Sequence, residues 1–145
     1  MKKQIFALLI VFLFSIGVQA EDGYIGNVKT LKGEATVTRG ENVIDAELGL
    51  RLEKGDLVKT SSASAVGIIF VDSTLVTIGP SSELFLNNYV FEPKDKEYAF
   101  DVLMKKGSAI YDSGKLGKLE PGAVKFRTPK ATIGIRGTRF YVEVE

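Results

Sequence analysis

Apolar and polar positions alternate with a period of two along several stretches of the chain. In residues 34–39, Ala35 and Val37 fall on one face and Thr36 and Thr38 on the other. In residues 98–103, Tyr98, Phe100 and Val102 oppose Ala99, Asp101 and Leu103; in residues 139–144, Phe140, Val142 and Val144 oppose Arg139, Tyr141 and Glu143. A strand presents side chains with this period and a helix does not. Residues 66–71 are apolar on both sides, the pattern of a central strand buried on both faces. Glycines recur between these runs, and the longest glycine-free stretch, 80–106, is interrupted by Pro93, which disfavours helix at and before it. The spacing predicts an all-β fold of about ten to twelve short strands (a sandwich, a roll or a solenoid-like arrangement) with no helix after the first twenty residues. Two loops stand out: residues 92–97, charged and bearing Pro93, and residues 113–122, with three glycines and Pro121.

The first twenty residues follow a different pattern. Lys2 and Lys3 precede an unbroken apolar run over residues 5–14, and Val18 and Ala20 place small residues where a signal peptidase reads. As a helix, residues 5–18 reach only about 21 Å, short of the roughly 30 Å hydrocarbon core of a bilayer. The expectation is a signal peptide over residues 1–20, cleaved before Glu21, and a β domain over residues 21–145 that does not span the membrane after processing. No cysteine follows the apolar run, so there is no thiol to acylate.

Charge and composition then narrow the chemistry. Without Lys2 and Lys3 the chain keeps 17 basic residues against 18 acidic ones, a formal charge of −1. A protein that coats nucleic acid normally carries a strong basic excess, so nucleic acid is not an expected partner. The sequence has no histidine and no cysteine. The usual general base, thiol nucleophiles and the commonest zinc ligands are therefore missing together. Paired-carboxylate chemistry of the glycosidase kind remains open. Yet Asp22, Asp56, Asp72, Asp95 and Asp112 read as turn residues, whose usual work is to hydrogen-bond the nearby backbone. No metal or cofactor is expected.

Residues 126–141 concentrate the basic side chains Arg127, Lys130, Arg136 and Arg139 around Gly134 and Gly137. Two readings stand side by side. In one, Arg127, Lys130 and Arg139 form a candidate anion or partner contact. In the other, either glycine supplies a tight turn or bulge with φ > 0, and Arg136 locks two strands by pairing with a carboxylate such as Asp56 or Asp72. The five tyrosines, at 24, 89, 98, 111 and 141, can stack sugars if clustered in the open, or pack at the edge of the core.

Taken in order, the motifs resemble the FecR domain. Residues 26–39 open with Gly26 and Val28, a turn at Gly33, then an alternating stretch ending in Arg39. Leu52, Gly55 and Asp56 follow, then the strand from Ser64 through Phe70 to Asp72, and the run from Leu75 through Gly79 to Leu84. The most specific match is Thr128, Pro129, Gly134, Arg136, Gly137, Thr138 and Phe140, similar to the family's terminal signature. One departure is visible: the family often has glycine after the aspartate that ends the phenylalanine strand, and here Asp72 is followed by Ser73. Well-known FecR proteins are iron-uptake regulators with a cytoplasmic segment acting on a sigma factor, a membrane helix and a periplasmic sensor portion. This chain is expected to lack the cytoplasmic segment and any further receptor-contacting part. The resemblance implies an exported, periplasmic or secreted, non-enzymatic module that binds an envelope protein or senses a ligand, with a role in signal transduction; a polysaccharide or cell-wall binding module is the alternative.

Overall fold

The structure is a computed structural model that describes residues 23–135 and 139–145. Twelve strands account for most of it: β1 (Tyr24–Lys32), β2 (Ala35–Arg39), β3 (Asn42–Asp45), β4 (Arg51–Glu53), β5 (Leu57–Thr60), β6 (Ala65–Phe70), β7 (Leu75–Ile78), β8 (Glu83–Glu92), β9 (Glu97–Asp112), β10 (Val124–Arg127), β11 (Thr132–Gly134) and β12 (Arg139–Val144). One short helix, α1 (Lys115–Leu119), and a 3-10 turn over Pro121–Ala123 lie between β9 and β10.

The organising element is a long bent ribbon. β8 runs antiparallel to the first part of β9, with Glu92 opposite Glu97 and Glu83 opposite Lys106. β7 continues along the same side of β9, with Ile78 opposite Ala109 and Leu75 opposite Asp112. The ribbon kinks where residues 79–82 face Gly107 and Ser108. One half of it seeds sheet A, in the order β4-β1-β6-β7-β9-β12; the other seeds sheet B, in the order β3-β2-β5-β8-β9-β10-β11. A strand that changes sheet through a bend is a standard corner of packed β-sheets. Among the described residues every pairing is antiparallel except β10 with β9, because α1 and the 3-10 turn carry the chain back before it joins the sheet.

Aromatic rings close the space between the sheets. Phe70 of sheet A lies 5.2 Å from Tyr89 and 5.0 Å from Phe100 of sheet B, centroid to centroid. Tyr111 then meets Phe100 at 5.6 Å, Phe126 at 6.5 Å and Phe140 at 4.9 Å. Such offset and edge-on pairs add to the burial free energy of the rings themselves.

The alternating runs become strands with the expected faces: Ala35 and Val37, Phe100 and Val102, and Val142 are buried. Two expectations need correction. Residues 113–122 are not a plain loop, because α1 drives Leu116 fully into the core, and the Lys115 and Leu116 amides are held by Asp72, more than forty residues earlier in the chain. That partner is invisible to any local pattern. Nor is the run 66–71 buried on both faces. Val66, Ile68 and Phe70 are buried on one face; on the other, Gly67 is buried but Ile69 is only half-buried and Val71, past the end of β6, is exposed.

Candidate functional site

The buried polar groups gather at two turn aspartates. Gly55, with φ +90°, turns the chain from β4 toward β5 and delivers Asp56 to the interior, where it has no exposed surface. Its carboxylate accepts Arg39 Nε at 2.9 Å, Arg39 Nη2 at 2.8 Å and the Glu53 amide at 2.8 Å. The guanidinium also donates to the Arg51 carbonyl at 3.0 Å and lies 3.3 Å from Glu53 Oε1. The bond to Asp56 raises the Arg39 pKa above its already high ordinary value, against an opposing effect of burial. Asp56 also fixes its backbone to β8: its carbonyl accepts the Leu86 amide, and the Leu86 carbonyl accepts the Gly55 amide. One residue thus ties β2 to the β4–β5 turn through a two-pronged, charge-assisted pair of its side chain, and the same turn to β8 through its backbone.

Arg39→Ala should remove both prongs and leave a buried carboxylate with one amide. A broken buried pair costs about 3–5 kcal/mol, and the 31% exposure of the arginine side chain lets water offset part of that. The expected loss is therefore near the low end, about 3 kcal/mol, read as a lower urea midpoint. An unchanged midpoint contradicts the assignment.

Asp72 occupies the β6–β7 turn and is also fully buried. Its carboxylate accepts the Thr74 amide at 3.2 Å, Thr74 Oγ1 at 2.6 Å, the Tyr89 hydroxyl at 2.8 Å and the Leu116 amide at 2.9 Å. Its carbonyl accepts the Lys115 amide at 2.9 Å. Four donors match the roughly four lone-pair sites of a carboxylate. The residue at the family's usual glycine position, Ser73, adopts φ +72°, so the turn keeps the left-handed geometry without the glycine.

Burial, and then the adjacent Asp72, push the Tyr89 hydroxyl far above the ordinary tyrosine range. Burial is also the main cause of the upward shift at Tyr111. A tyrosine whose pKa is raised in the folded state contributes stability that is complete below the unfolded value of about 10 and is lost as pH rises toward the folded value. Stability should therefore fall above about pH 10. In a spectrophotometric titration, two of the five phenolate signals should appear only as near-UV circular dichroism is lost. Five signals developing with the tertiary signal intact contradict this.

The terminal signature is more dispersed than the anion-site reading requires. Arg127 on β10 already holds Asp101, Nε to Oδ1 at 2.6 Å, and Asn87 donates to the other oxygen at 2.8 Å. Arg139 on β12 lies 3.4 Å from Asp112, which ends β9 and is not a turn residue. Lys130 is exposed on the β10–β11 turn, where the Thr128 hydroxyl accepts the Lys130 and Ala131 amides beside Pro129. Two of the three candidate cations thus sit on different strands, each with its own acid. Phe140 stacks on Tyr111 as part of the core column. Gly134 does not need its glycine: it has no positive φ, pairs with Lys125 in β11, and a Cβ would meet nothing within 4 Å. Arg136, Gly137 and Thr138 lie outside the described residues. Of the two acids expected for Arg136, Asp56 is engaged in two bonds by Arg39.

Arg39 is the residue that sequence reasoning passed over. It falls in the same period as Ala35 and Val37, the buried face of β2, and an arginine on an inward face calls for a buried carboxylate. Among the described residues no group of three metal-ligating side chains assembles, and no helix is long and apolar enough to cross a membrane.

Comparison with curated proteins and with solved structures gives no match. Comparison with protein families does: the family described as FecR protein matches residues 56–145. The match begins at Asp56 and takes in Asp72 and the terminal signature, while β1 to β4, which precede it, complete both sheets. With more than half of its length matched, the chain belongs to the FecR protein family.

Proposed function

We propose that the chain is exported, loses residues 1–20, and works in the periplasm or outside the cell as a non-enzymatic protein-binding or sensing module of the bacterial envelope, contributing to signal transduction. The observation that supports this reading is an open sheet margin. β12, six residues long, borders sheet A, and among the described residues no strand pairs with its outer side. Its outward side chains include Tyr141, 61% exposed. An unpaired edge of this length is a ready template for strand addition by another chain. Asp56 and Asp72, which acid-base chemistry would need in contact with water, are enclosed and engaged by internal donors. A sugar-stacking surface has less support. Among the described tyrosines only Tyr24 and Tyr141 are more than a third exposed, and β1 and β12 are four strand spacings apart, roughly 19 Å.

The exported protein, immobilised and offered envelope extract in one arm and purified cell-wall polysaccharide in the other, is expected to retain a discrete protein. Retention of polysaccharide alone transfers the function to carbohydrate binding. Intact mass tests the processing: a chain beginning at Glu21 is expected, and one that retains residues 1–20 makes that segment an anchor.

A further inference from the structure

The margins of the two sheets differ in how they are protected. β3 is short and carries Asp45, and β4 and β11 have three residues each. Short length and charge are the usual devices that keep a sheet edge from pairing. β12 is the longest of the margin strands. On this side of β9, moreover, among the described residues, sheet B continues for two strands, β10 and β11, while sheet A continues for β12 alone.

The sequence of β12 is self-complementary. In an antiparallel pair, residues directly opposite share a face, so a register must place inward residues against inward ones. A two-fold register centred on Tyr141 does this. It sets Phe140 opposite Val142 on the inner face, and on the outer face Arg139 opposite Glu143, with the two Tyr141 rings adjacent. The two-fold axis makes the Arg139–Glu143 pair twice. Opposite charges and aromatic rings at facing positions are the contacts that stabilise paired strands. Within one chain these side chains are only loosely engaged, Arg139 to Asp112 at 3.4 Å and the Tyr141 hydroxyl to Glu143 at 3.3 Å.

We propose that the β12 edge pairs antiparallel with the β12 edge of a second copy of this chain, joining two A sheets into one continuous sheet across a two-fold axis. The proposal rests on the reading of the chain as a protein-binding module and names the partner at this edge. The interface is isologous, as expected of a homodimer.

A charge exchange tests it. By sedimentation equilibrium the exported protein is expected to have twice the mass of one chain. Arg139→Glu sets two like-charge pairs across the axis, Glu against Glu143, and Glu143→Arg sets two more, Arg139 against Arg. Each variant should be a folded monomer by circular dichroism. Mixed in equal amounts, the two variants should associate into a heterodimer, because each new charge then faces its opposite, and the double variant should dimerise alone. A monomeric wild-type protein overturns the proposal, and so does a mixture that stays monomeric. If the wild type is monomeric and still retains an envelope protein, the pairing fails while the wider reading survives. If it is dimeric and retains nothing, the reverse holds.

Discussion

Asp72→Ala is expected to unfold the chain or leave it barely stable. The substitution strips the acceptor from four donors at once: the Thr74 amide and hydroxyl, the Tyr89 hydroxyl and the Leu116 amide. Each buried donor left unpaired costs about 1–3 kcal/mol. Water entering the vacated space recovers part of this, so a loss of about 5 kcal/mol is expected, against a total stability of ~5–15 kcal/mol for a domain. The damage is not local. The turn between β6 and β7, strand β8 and the start of α1 lose their common anchor together. Tyr89→Phe is the informative companion. It removes one donor to the carboxylate and the acceptor of the Asp72 amide, 3.1 Å away, but leaves the carboxylate three other donors, so it should cost about 1–3 kcal/mol. Urea unfolding of both variants checks the ranking. An Asp72→Ala midpoint close to that of Tyr89→Phe contradicts the account of Asp72 as the hub.

How much of this was legible in the sequence depended on whether the signal was local. β2, β9 and β12 announce themselves, because one face of each meets the core and period two survives along the strand. β8 is harder. Leu84 and Leu86 point inward, but the register shifts between Leu86 and Asn88, so the next buried residue is Tyr89 instead of Asn88. One extra residue at a bulge inverts the pattern that follows it. Tyr89, the partner of Asp72, was thereby reduced to one tyrosine among five. α1 was missed for a related reason: its glycine-bearing sequence is poor in helix signal, and its first amides are satisfied by Asp72 and not by a local cap.

The two acids of the site were recognised as turn residues that bind nearby backbone, and each does, Asp56 to Glu53 and Asp72 to Thr74. What a local reading cannot supply is the distant partner. Arg39 stands seventeen residues before Asp56, and Leu116 stands forty-four after Asp72. The arginine was nonetheless within reach, since its parity with Ala35 and Val37 already placed it on the buried face.

Gly107→Ala should be the second most damaging substitution, because it strikes the kink that makes one ribbon into two sheets. Gly107 has φ +91°, which L side chains rarely adopt. An added Cβ would lie 2.5 Å from the Cα of Ser82 and 2.6 Å from its Cβ. Neither can move freely. Ser82 is fully buried, its hydroxyl accepts the Ser108 amide at 3.0 Å and donates to the Pro80 carbonyl at 3.1 Å, and its own amide is held by the Thr60 hydroxyl at 2.9 Å. Left-handed strain contributes about 1–2 kcal/mol and overpacking another 1–3. The sum, about 2–5 kcal/mol, corresponds to a fall in melting temperature of roughly 8–20 °C. Gly134→Ala supplies the control. That glycine lies in a strand, without positive φ and with open space where the Cβ would go, so the substitution should be neutral or stabilising by about 0.5 kcal/mol through a less disordered unfolded chain. Side-by-side thermal melts separate the two. Equal melting temperatures would mean that residues 79–82 and Gly107 are not the corner on which the two sheets fold.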